Sequence, residues 1–288
     1  MGTTQRINPG VANQPNWGDL SNSITYIAST VEQERKLEDK EEIEREKEED
    51  KKEENQTAIN NDYAKRYGKI ENRRSEHIRS AFKNLVKTGG GRQSITSGKS
   101  PSIGKAGLKS ANRIAGLLSS VGTNGIEKTL TELGFGSFTG KSFKDVIDFL
   151  LIYCSESNQG MDETAANKAS CEIMKEIEVQ SENDLNKFQE IVKELVDGKG
   201  LADTLCKFWG LYIFEHLSQR FEEKIQQQKG ENISKETFKI IKNDILGRVK
   251  VLNTKREVSR IDWKTQDGKK EIEKIFDSII KIICDEKN

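Results

Sequence analysis

Residues 201–225 read LADTLCKFWGLYIFEHLSQRFEEKI and form the most apolar stretch of the chain. Large apolar side chains recur through it at helical spacing, which predicts a long, buried helix at the centre of the fold. No part of the chain shows a convincing alternation of apolar and polar residues, which is the pattern of a half-buried strand. The sequence therefore predicts an all-α protein.

Amphipathic helices are predicted on both sides of this stretch, and together they indicate a helical bundle over residues 126–288. Short polar side chains at the start of a helix can accept hydrogen bonds from its first free amides, so they mark candidate N-termini. The candidate cap residues are Ser142 with Asp145, Asp162, Ser181, Ser234 and Asp267.

Residues 63–125 precede the bundle and form a basic region rich in glycine. Its residues 65–113 carry 13 Lys or Arg side chains against two carboxylates. The pattern predicts a helix from residue 75 to the glycines at 89–91, a loop over 91–104 and a second helix over 105–121. Small side chains in that second helix would permit close contact with a neighbouring helix. These are Ala106, Gly107, Ala111, Ala115 and Gly116.

The basic side chains of this region are candidate contacts for a polyanion, because clustered Lys and Arg bind phosphate groups. The candidates are Arg73, Arg74, Arg79, Lys83, Lys87, Arg92, Lys99 and Lys105. Few aromatic side chains accompany them, so sequence-specific reading of bases is not expected. An acidic protein partner, or the acidic segment of this chain, is the alternative to nucleic acid.

Residues 32–62 are predicted to be a charged spacer. Charged residues make up 33% of the chain and hydrophobic residues also 33%, so part of it is not expected to enter a core. Residues 32–54 hold 13 acidic and 7 basic side chains, a net charge of −6. Their few apolar residues are too sparse for a heptad seam. This pattern predicts a solvated single helix or a disordered spacer rather than a coiled coil.

Residues 1–31 are predicted to be an extended N-terminal tail, although a helix could begin near residue 21. Pro9 and Pro15 favour irregular backbone in its first part. Trp17 is the only aromatic side chain among residues 1–20. We expect it either to anchor a partner or to pack onto the rest of the chain.

The first residues suggest a chemically usable terminus. Methionine before glycine is normally removed, which would leave Gly2 with a free α-amine. Because the pKa of such an amine is about 8, part of it is neutral and nucleophilic near pH 7. Arg6 stands where an N-myristoylation signal has Ser or Thr, so acylation by that route is not predicted.

Several common activities find no support in the sequence. Two Gly-Lys-Ser triplets lack the earlier glycine and the preceding strand of a nucleotide-binding P-loop,. His77 and His216 are interpreted as a surface and a satisfied interior histidine, and neither has metal-ligand spacing. No cofactor, metal or catalytic set of residues is predicted, and we expect a non-enzymatic chain.

The sequence also indicates where the protein resides. Four widely spaced cysteines without a pairing pattern fit reduced thiols,. No apolar run has the roughly 18 residues of a membrane span, and the N-terminus lacks a signal-peptide core. A cytoplasmic protein without membrane contact is predicted.

Taken in order, several segments resemble QatB, the B component of the Qat anti-phage defence system. The similarity begins with MGT at the N-terminus and QPNW at 14–17. It continues with RSEHIRSAFKNLVKTGGG (74–91), GKAGLKSANRIAGLLSSVG (104–122), GFGSFTGKSFKDVIDFLLIYC (134–154), MDETAANKAS (161–170) and FWGLYIFEHLSQRFEEKI (208–225). It covers the first few residues and roughly 70–230.

This resemblance implies a defence system of four products. QatB would act beside QatA, an ATPase, QatC, an enzyme similar to the deazaguanine-synthesising QueC, and QatD, a TatD-like nuclease. QueC chemistry activates a deazaguanine carboxylate with ATP for attack by an amine. The resemblance implies that Gly2 supplies that amine and that the tail residues contact the partner. These are Thr3, Thr4, Pro9, Pro15 and Trp17.

Two functions are therefore expected as alternatives. In the first, the chain is an adaptor and substrate whose N-terminal glycine is modified by the QueC-like partner. In the second, it is a nucleic-acid-binding subunit that directs the TatD-like nuclease to phage DNA.

Overall fold

The computed structural model describes residues 17–48, 53–136, 140–155, 160–197, 199–255 and 261–284. These residues form eleven helices and no strand, which confirms the predicted all-α fold. In chain order the helices are α1 (Gly18–Glu48), α2 (Glu53–Thr88), α3 (Arg92–Thr96), α4 (Lys105–Asn124), α5 (Ile126–Glu132), α6 (Phe143–Cys154), α7 (Met161–Gln180), α8 (Leu185–Asp197), α9 (Gly200–Lys229), α10 (Glu231–Lys255) and α11 (Gln266–Ile283).

The chain divides into two compact units. Unit 1 comprises Met1–Thr88 and Arg220–Ile241, and unit 2 comprises Gly89–Gln219 and Lys242–Asn288. Both α9 and α10 therefore contribute residues to each unit. The apolar stretch 201–225 lies within α9, and the prediction of a long buried helix there is confirmed.

Unit 1 is built on an antiparallel pair, α1 and α2. Apolar side chains at helical spacing form its core, because each helix presents one apolar face to its neighbours. The buried residues are Leu20, Ile24, Ile27, Ala28 and Val31 on α1, Ile78, Ala81, Phe82 and Leu85 on α2, and Phe221, Ile225, Ile233 and Phe238 from α9 and α10. Ion pairs join α1 to α9 and α10, between Glu32 and Lys229 and between Arg35 and Glu236 respectively.

This arrangement corrects the two N-terminal boundaries. Residues 18–31 were assigned to an extended tail, but they are the first part of α1 and hold five of its buried apolar residues. Residues 32–48 were expected to be a solvated single helix or disordered. Instead they continue α1 and pack against α2, where Leu37, Tyr63 and Ile70 form a small apolar cluster.

Polar contacts, rather than a heptad seam, hold the outer half of the α1–α2 pair together. Arg74 pairs with Glu34, the Tyr67 hydroxyl donates to Glu41 at 2.8 Å, and the Tyr63 hydroxyl donates to Glu44 at 2.8 Å. We call this row of three contacts the ladder. Each contact joins the acidic stretch to the basic region, but only the Arg74–Glu34 contact pairs opposite charges, since the two tyrosine hydroxyls are neutral donors.

Unit 2 contains the rest of the basic region together with most of the predicted bundle, whose residues 220–241 belong to unit 1. Helix α4 packs against α7 and α8 and also contacts α5, α6 and α11, because much of its surface is apolar or small and buried. A Trp209–Phe276 stack, with ring centroids 3.7 Å apart, ties α9 to α11. The sequence-based boundary at residue 125 thus separates helices that pack together here. The predicted loop over 91–104 also holds one short helix, α3.

The candidate caps were only partly identified correctly. Ser142 and Asp145 form the predicted capping box at the start of α6. Ser181 instead ends α7, and Asp184 accepts the first amides of α8. Helix α10 begins before Ser234, whose hydroxyl donates to the Glu222 carbonyl. Helix α11 begins at Gln266, just before Asp267, with Thr265 at its N-cap position. Asp162 does not cap its own helix and has a different role.

Candidate functional site

The described chain begins at Trp17, whose half-buried indole ring lies against the guanidinium of Arg220 in unit 1. The Arg220 Cζ atom is 3.8 Å from the ring centroid, within the range of a cation–π contact. The Trp17 carbonyl accepts the first hydrogen bond of α1 from the Ser21 amide, at 2.9 Å. These contacts fix Trp17 against unit 1 at the start of α1.

The other residues predicted for the tail site lie outside the described residues. They are Gly2, Thr3, Thr4, Pro9 and Pro15. Their predicted roles, and the contact of Trp17 with a partner, stay predictions. The structure adds that the Trp17 ring already has a partner within its own chain.

The eight candidate polyanion contacts fall into both units and differ in availability. Arg74 is engaged in the ladder, with only 11% of its side chain exposed. Lys87 pairs with Asp19 at 3.4 Å, and Arg92 pairs with Asp277 at 3.0 Å. Of the others, Arg73, Arg79, Lys83, Lys99 and Lys105 are exposed. The basic region is therefore partly neutralised, and its role as a polyanion site stays a prediction.

A groove that the sequence did not predict runs along α1 and α2 in unit 1. Its volume is about 320 Å³, and its lining comprises Gln33, Lys36, Leu37, Lys40, Arg66, Lys69, Ile70 and Arg73. Five of these eight residues are cationic and none is acidic. Two of the cations, Lys36 and Lys40, come from the stretch that is net acidic. Within each helix the lining residues are spaced by three, four and seven residues, which places them on one helix face. The sequence shows this spacing, but it indicates a groove only once the two helices are known to pair.

A buried polar cluster in unit 2 is centred on the carboxylate of Asp162, which has four hydrogen-bond partners. The Asp162 carboxylate, at the start of α7, accepts the amide of Ala106 at 2.8 Å and that of Gly104 at 3.2 Å. It also accepts the Tyr212 hydroxyl and lies 3.0 Å from His216 Nε2. Asp162 thus caps α4 across helices, because both amides belong to the N-terminal turn of α4, where amides lack intrahelical partners.

The surroundings of Asp162 oppose each other in their effect on its pKa. Burial raises the pKa, whereas hydrogen bonds from His216, Ala106 and Tyr212, together with the charge of His216, lower it, and the net result is about 2. Tyr212 responds in the other direction, since burial and the neighbouring carboxylate raise its pKa well above the usual range. The interpretation of His216 as an interior residue agrees with its burial, and its Nε2 atom lies 3.0 Å from Asp162.

The low pKa of Asp162 predicts an acid-sensitive contribution to stability. The ordinary pKa of 3.8 falls to about 2 on folding, so ionised Asp162 stabilises the fold above about pH 4 and loses this contribution as the pH falls toward 2. The difference corresponds to about 2 kcal/mol. Thermal denaturation of wild type and Asp162→Asn at pH 6.5 and pH 3 should show a clearly smaller gap between them at pH 3. An equal gap at both values would contradict the assignment.

Among the residues that the structure describes, no three His, Cys, Asp or Glu side chains are grouped as metal ligands. His216 is fully buried, and burial raises the pKa of the Cys154 thiol to about 12. The Asp162 cluster holds α4, α7 and α9 together.

None of the described helices combines the length and apolar character of a membrane span.

Comparison with known proteins places this fold in a family. A family model described as Qat anti-phage system associated protein QatB matches residues 96–283. The match begins later than the resemblance read from the sequence and extends through α10 and α11. It contains the whole Asp162 cluster and leaves out α1, α2 and the groove. No curated protein and no solved structure matches the chain. Since the family model covers more than half of its length, the chain belongs to the QatB family and is a component of a Qat anti-phage system.

Proposed function

We propose that the chain is a non-enzymatic adaptor and substrate, whose Gly2 amine is acylated by a QueC-like partner. One observation carries the proposal on the structural side: Trp17 is fixed to unit 1 by Arg220, at the start of α1. Residues 2–16 therefore precede a defined attachment point. Membership of the QatB family supports the setting in a Qat system.

The length of the tail suits delivery of a terminus to another protein. Fifteen residues at about 3.3 Å per residue span at most roughly 50 Å when extended, which is enough to enter the cleft of a partner enzyme. Glycine at the terminus adds no side chain near an activated carboxyl group. The remaining helices would then serve as the surface by which the partner recognises the chain.

The proposed step is formation of an amide bond. The partner would activate the carboxylate of a deazaguanine with ATP, and the neutral α-amine of Gly2 would attack the activated carbonyl and lose a proton. The ATP-derived group leaves, so the product gains the mass of the carboxylic acid less one water. The role of this chain is to supply and position the amine, which needs no catalytic residue of its own.

Intact-mass spectrometry after co-expression with the QueC-like partner tests the proposal. We expect the adduct on the tryptic peptide from Gly2 to Arg6 and on no lysine-containing peptide. A Gly2→Glu variant, in which a large second residue should retain Met1, is the matched control and should carry no adduct. Unmodified Gly2 in the presence of active partner, ATP and the deazaguanine would overturn the assignment.

Binding of the partner supplies an independent check. Deletion of residues 1–16 retains Trp17 and α1, so the fold of unit 1 should be preserved while the substrate segment is lost. We expect the deletion to abolish modification and to weaken the complex with the partner. The wild-type complex should persist at high salt. Modification of a different site by the same partner would show that the tail is not the substrate.

A further inference from the structure

The lining of the groove along α1 and α2 contains five cations and no carboxylate. The carboxylates Glu34, Glu41 and Glu44 are instead engaged in the ladder. Two further carboxylates, Glu32 and Asp62, pair with groove cations without being part of the lining. A segment whose overall composition is acidic thus presents a locally positive channel, which attracts an anionic ligand.

The groove offers apolar contact, and an aromatic side chain lies on the same helix face about two turns beyond its lining, roughly 10 Å along α1 at 1.5 Å per residue,. Leu37 and Ile70 form part of its lining. Tyr26 precedes Gln33 by seven residues and His77 follows Arg73 by four, so both lie near helix faces that line the groove. Their rings stack with centroids 5.2 Å apart, while 55% of Tyr26 remains exposed. An exposed ring beside a row of cations is the combination by which proteins bind single-stranded nucleic acid.

The cations are available for a ligand to different degrees. Lys36 pairs with Glu32 and Arg66 with Asp62, each at i,i+4 spacing with the cation exposed; Glu32 is only 31% exposed and also pairs with Lys229, so it is shared between two lysines. Pairs of this kind contribute little and exchange readily for another anion. Lys40 and Lys69 have no ion pair within the residues that the structure describes. All five cations are exposed at the surface.

We propose that this groove binds a segment of single-stranded nucleic acid, with its phosphates at the five cations and a base on the Tyr26 ring. Along α2 the distance from Arg66 to His77 is about 16 Å at 1.5 Å per residue, so the site accommodates only a few nucleotides. The cations are assigned to phosphates, and stacking on an aromatic ring accepts any base, so binding is expected to depend weakly on sequence. The site lies outside the region matched by the family model and is independent of the modification at Gly2.

Fluorescence anisotropy of the full-length chain with labelled single-stranded DNA and RNA oligonucleotides tests the proposal. Lys40→Glu combined with Lys69→Glu should weaken binding at least tenfold. Because each phosphate contact contributes about 0.7 to the salt slope of single strands, the slope should fall by at least about 1.4. Lys235→Glu combined with Lys239→Glu is the matched control: it changes the net charge of unit 1 equally at exposed positions of α10 outside the groove and should alter affinity less than threefold.

The aromatic contact separates nucleic acid from other anions. Tyr26→Ala should weaken oligonucleotide binding about fivefold or more, whereas Tyr26→Phe keeps the ring and should bind as wild type. Circular dichroism verifies that each variant remains helical. Equal loss in the groove and control variants would overturn the proposal. So would a preference for duplex DNA, or displacement by polyglutamate together with insensitivity to Tyr26→Ala, which would indicate an acidic protein partner.

Discussion

Asp162→Ala is expected to lower the free energy of unfolding by about 3–5 kcal/mol, as for other buried charges whose partners are left unpaired. The carboxylate has four partners within unit 2, namely the amides of Gly104 and Ala106, the Tyr212 hydroxyl and His216. Its side chain is 14% exposed and that of His216 is fully buried, so water cannot readily replace the lost acceptor. The midpoint of thermal denaturation should fall by about 10 °C.

Asp145→Ala provides the matched comparison. Asp145 also receives hydrogen bonds at a helix N-terminus, from the amide and hydroxyl of Ser142, but it is exposed. Its loss should cost only about 1 kcal/mol, as for other helix caps. Asp162→Asn retains one acceptor oxygen and should fall between the two. Similar losses for Asp162→Ala and Asp145→Ala would show that the buried cluster does not support the fold.

The Asp162 cluster shows what sequence reasoning could and could not find. Tyr212 and His216 are four residues apart on one helix, so their common face was readable. Their partner is 50 residues earlier, and the amides it accepts are earlier still. Nothing local distinguishes a carboxylate that caps its own helix from one that caps another, and the prediction of Asp162 as an N-cap of α7 was wrong for that reason.

The first two helices were misjudged because their pairing does not use the usual signal. Heptad analysis looks for apolar residues, and the stretch 32–48 has few. Tyr63 and Tyr67 supply instead a ring that packs between the helices and a hydroxyl that reaches a glutamate. In both tyrosines burial is the main cause of a raised pKa, followed by the glutamate that accepts the hydroxyl. Such contacts are specific to a register that charge composition alone does not reveal.

The family assignment and the proposed modification concern different parts of the chain. The matched region, residues 96–283, contains most of unit 2 and the whole of α9, which carries Arg220. Gly2, the proposed acceptor, precedes Trp17 by fifteen residues in the sequence, and Trp17 contacts Arg220 within unit 1. In the proposed function this contact fixes where the segment before α1 begins, and the partner enzyme carries out the chemistry.

Three glycine-to-alanine substitutions in and just before α4 should have effects of opposite sign. At Gly107 an added Cβ would lie 2.6 Å from the Trp209 ring and 2.8 Å from that of Tyr212. At Gly104 it would lie 2.2 Å from the Ile95 carbonyl oxygen, at a φ of +109° that disfavours any side chain,. At Gly116 no atom lies within 4 Å. The sequence predicted close packing at both Gly107 and Gly116, but a helix has several sides and only one of these glycines faces α9.

We therefore expect Gly107→Ala and Gly104→Ala to destabilise the protein by about 2–4 kcal/mol, through overpacking at the first and backbone strain with a clash at the second. Gly116→Ala should instead stabilise it by up to about 1 kcal/mol, since alanine restricts the unfolded chain and favours the helix. Urea denaturation of the three variants beside wild type measures the free energies of unfolding directly. Because Gly107 packs on Tyr212 and the Gly104 amide binds Asp162, neither effect should add fully to that of Asp162→Ala. Strict additivity would mean that the close approach of α4 to α9 and the buried carboxylate stabilise unit 2 separately.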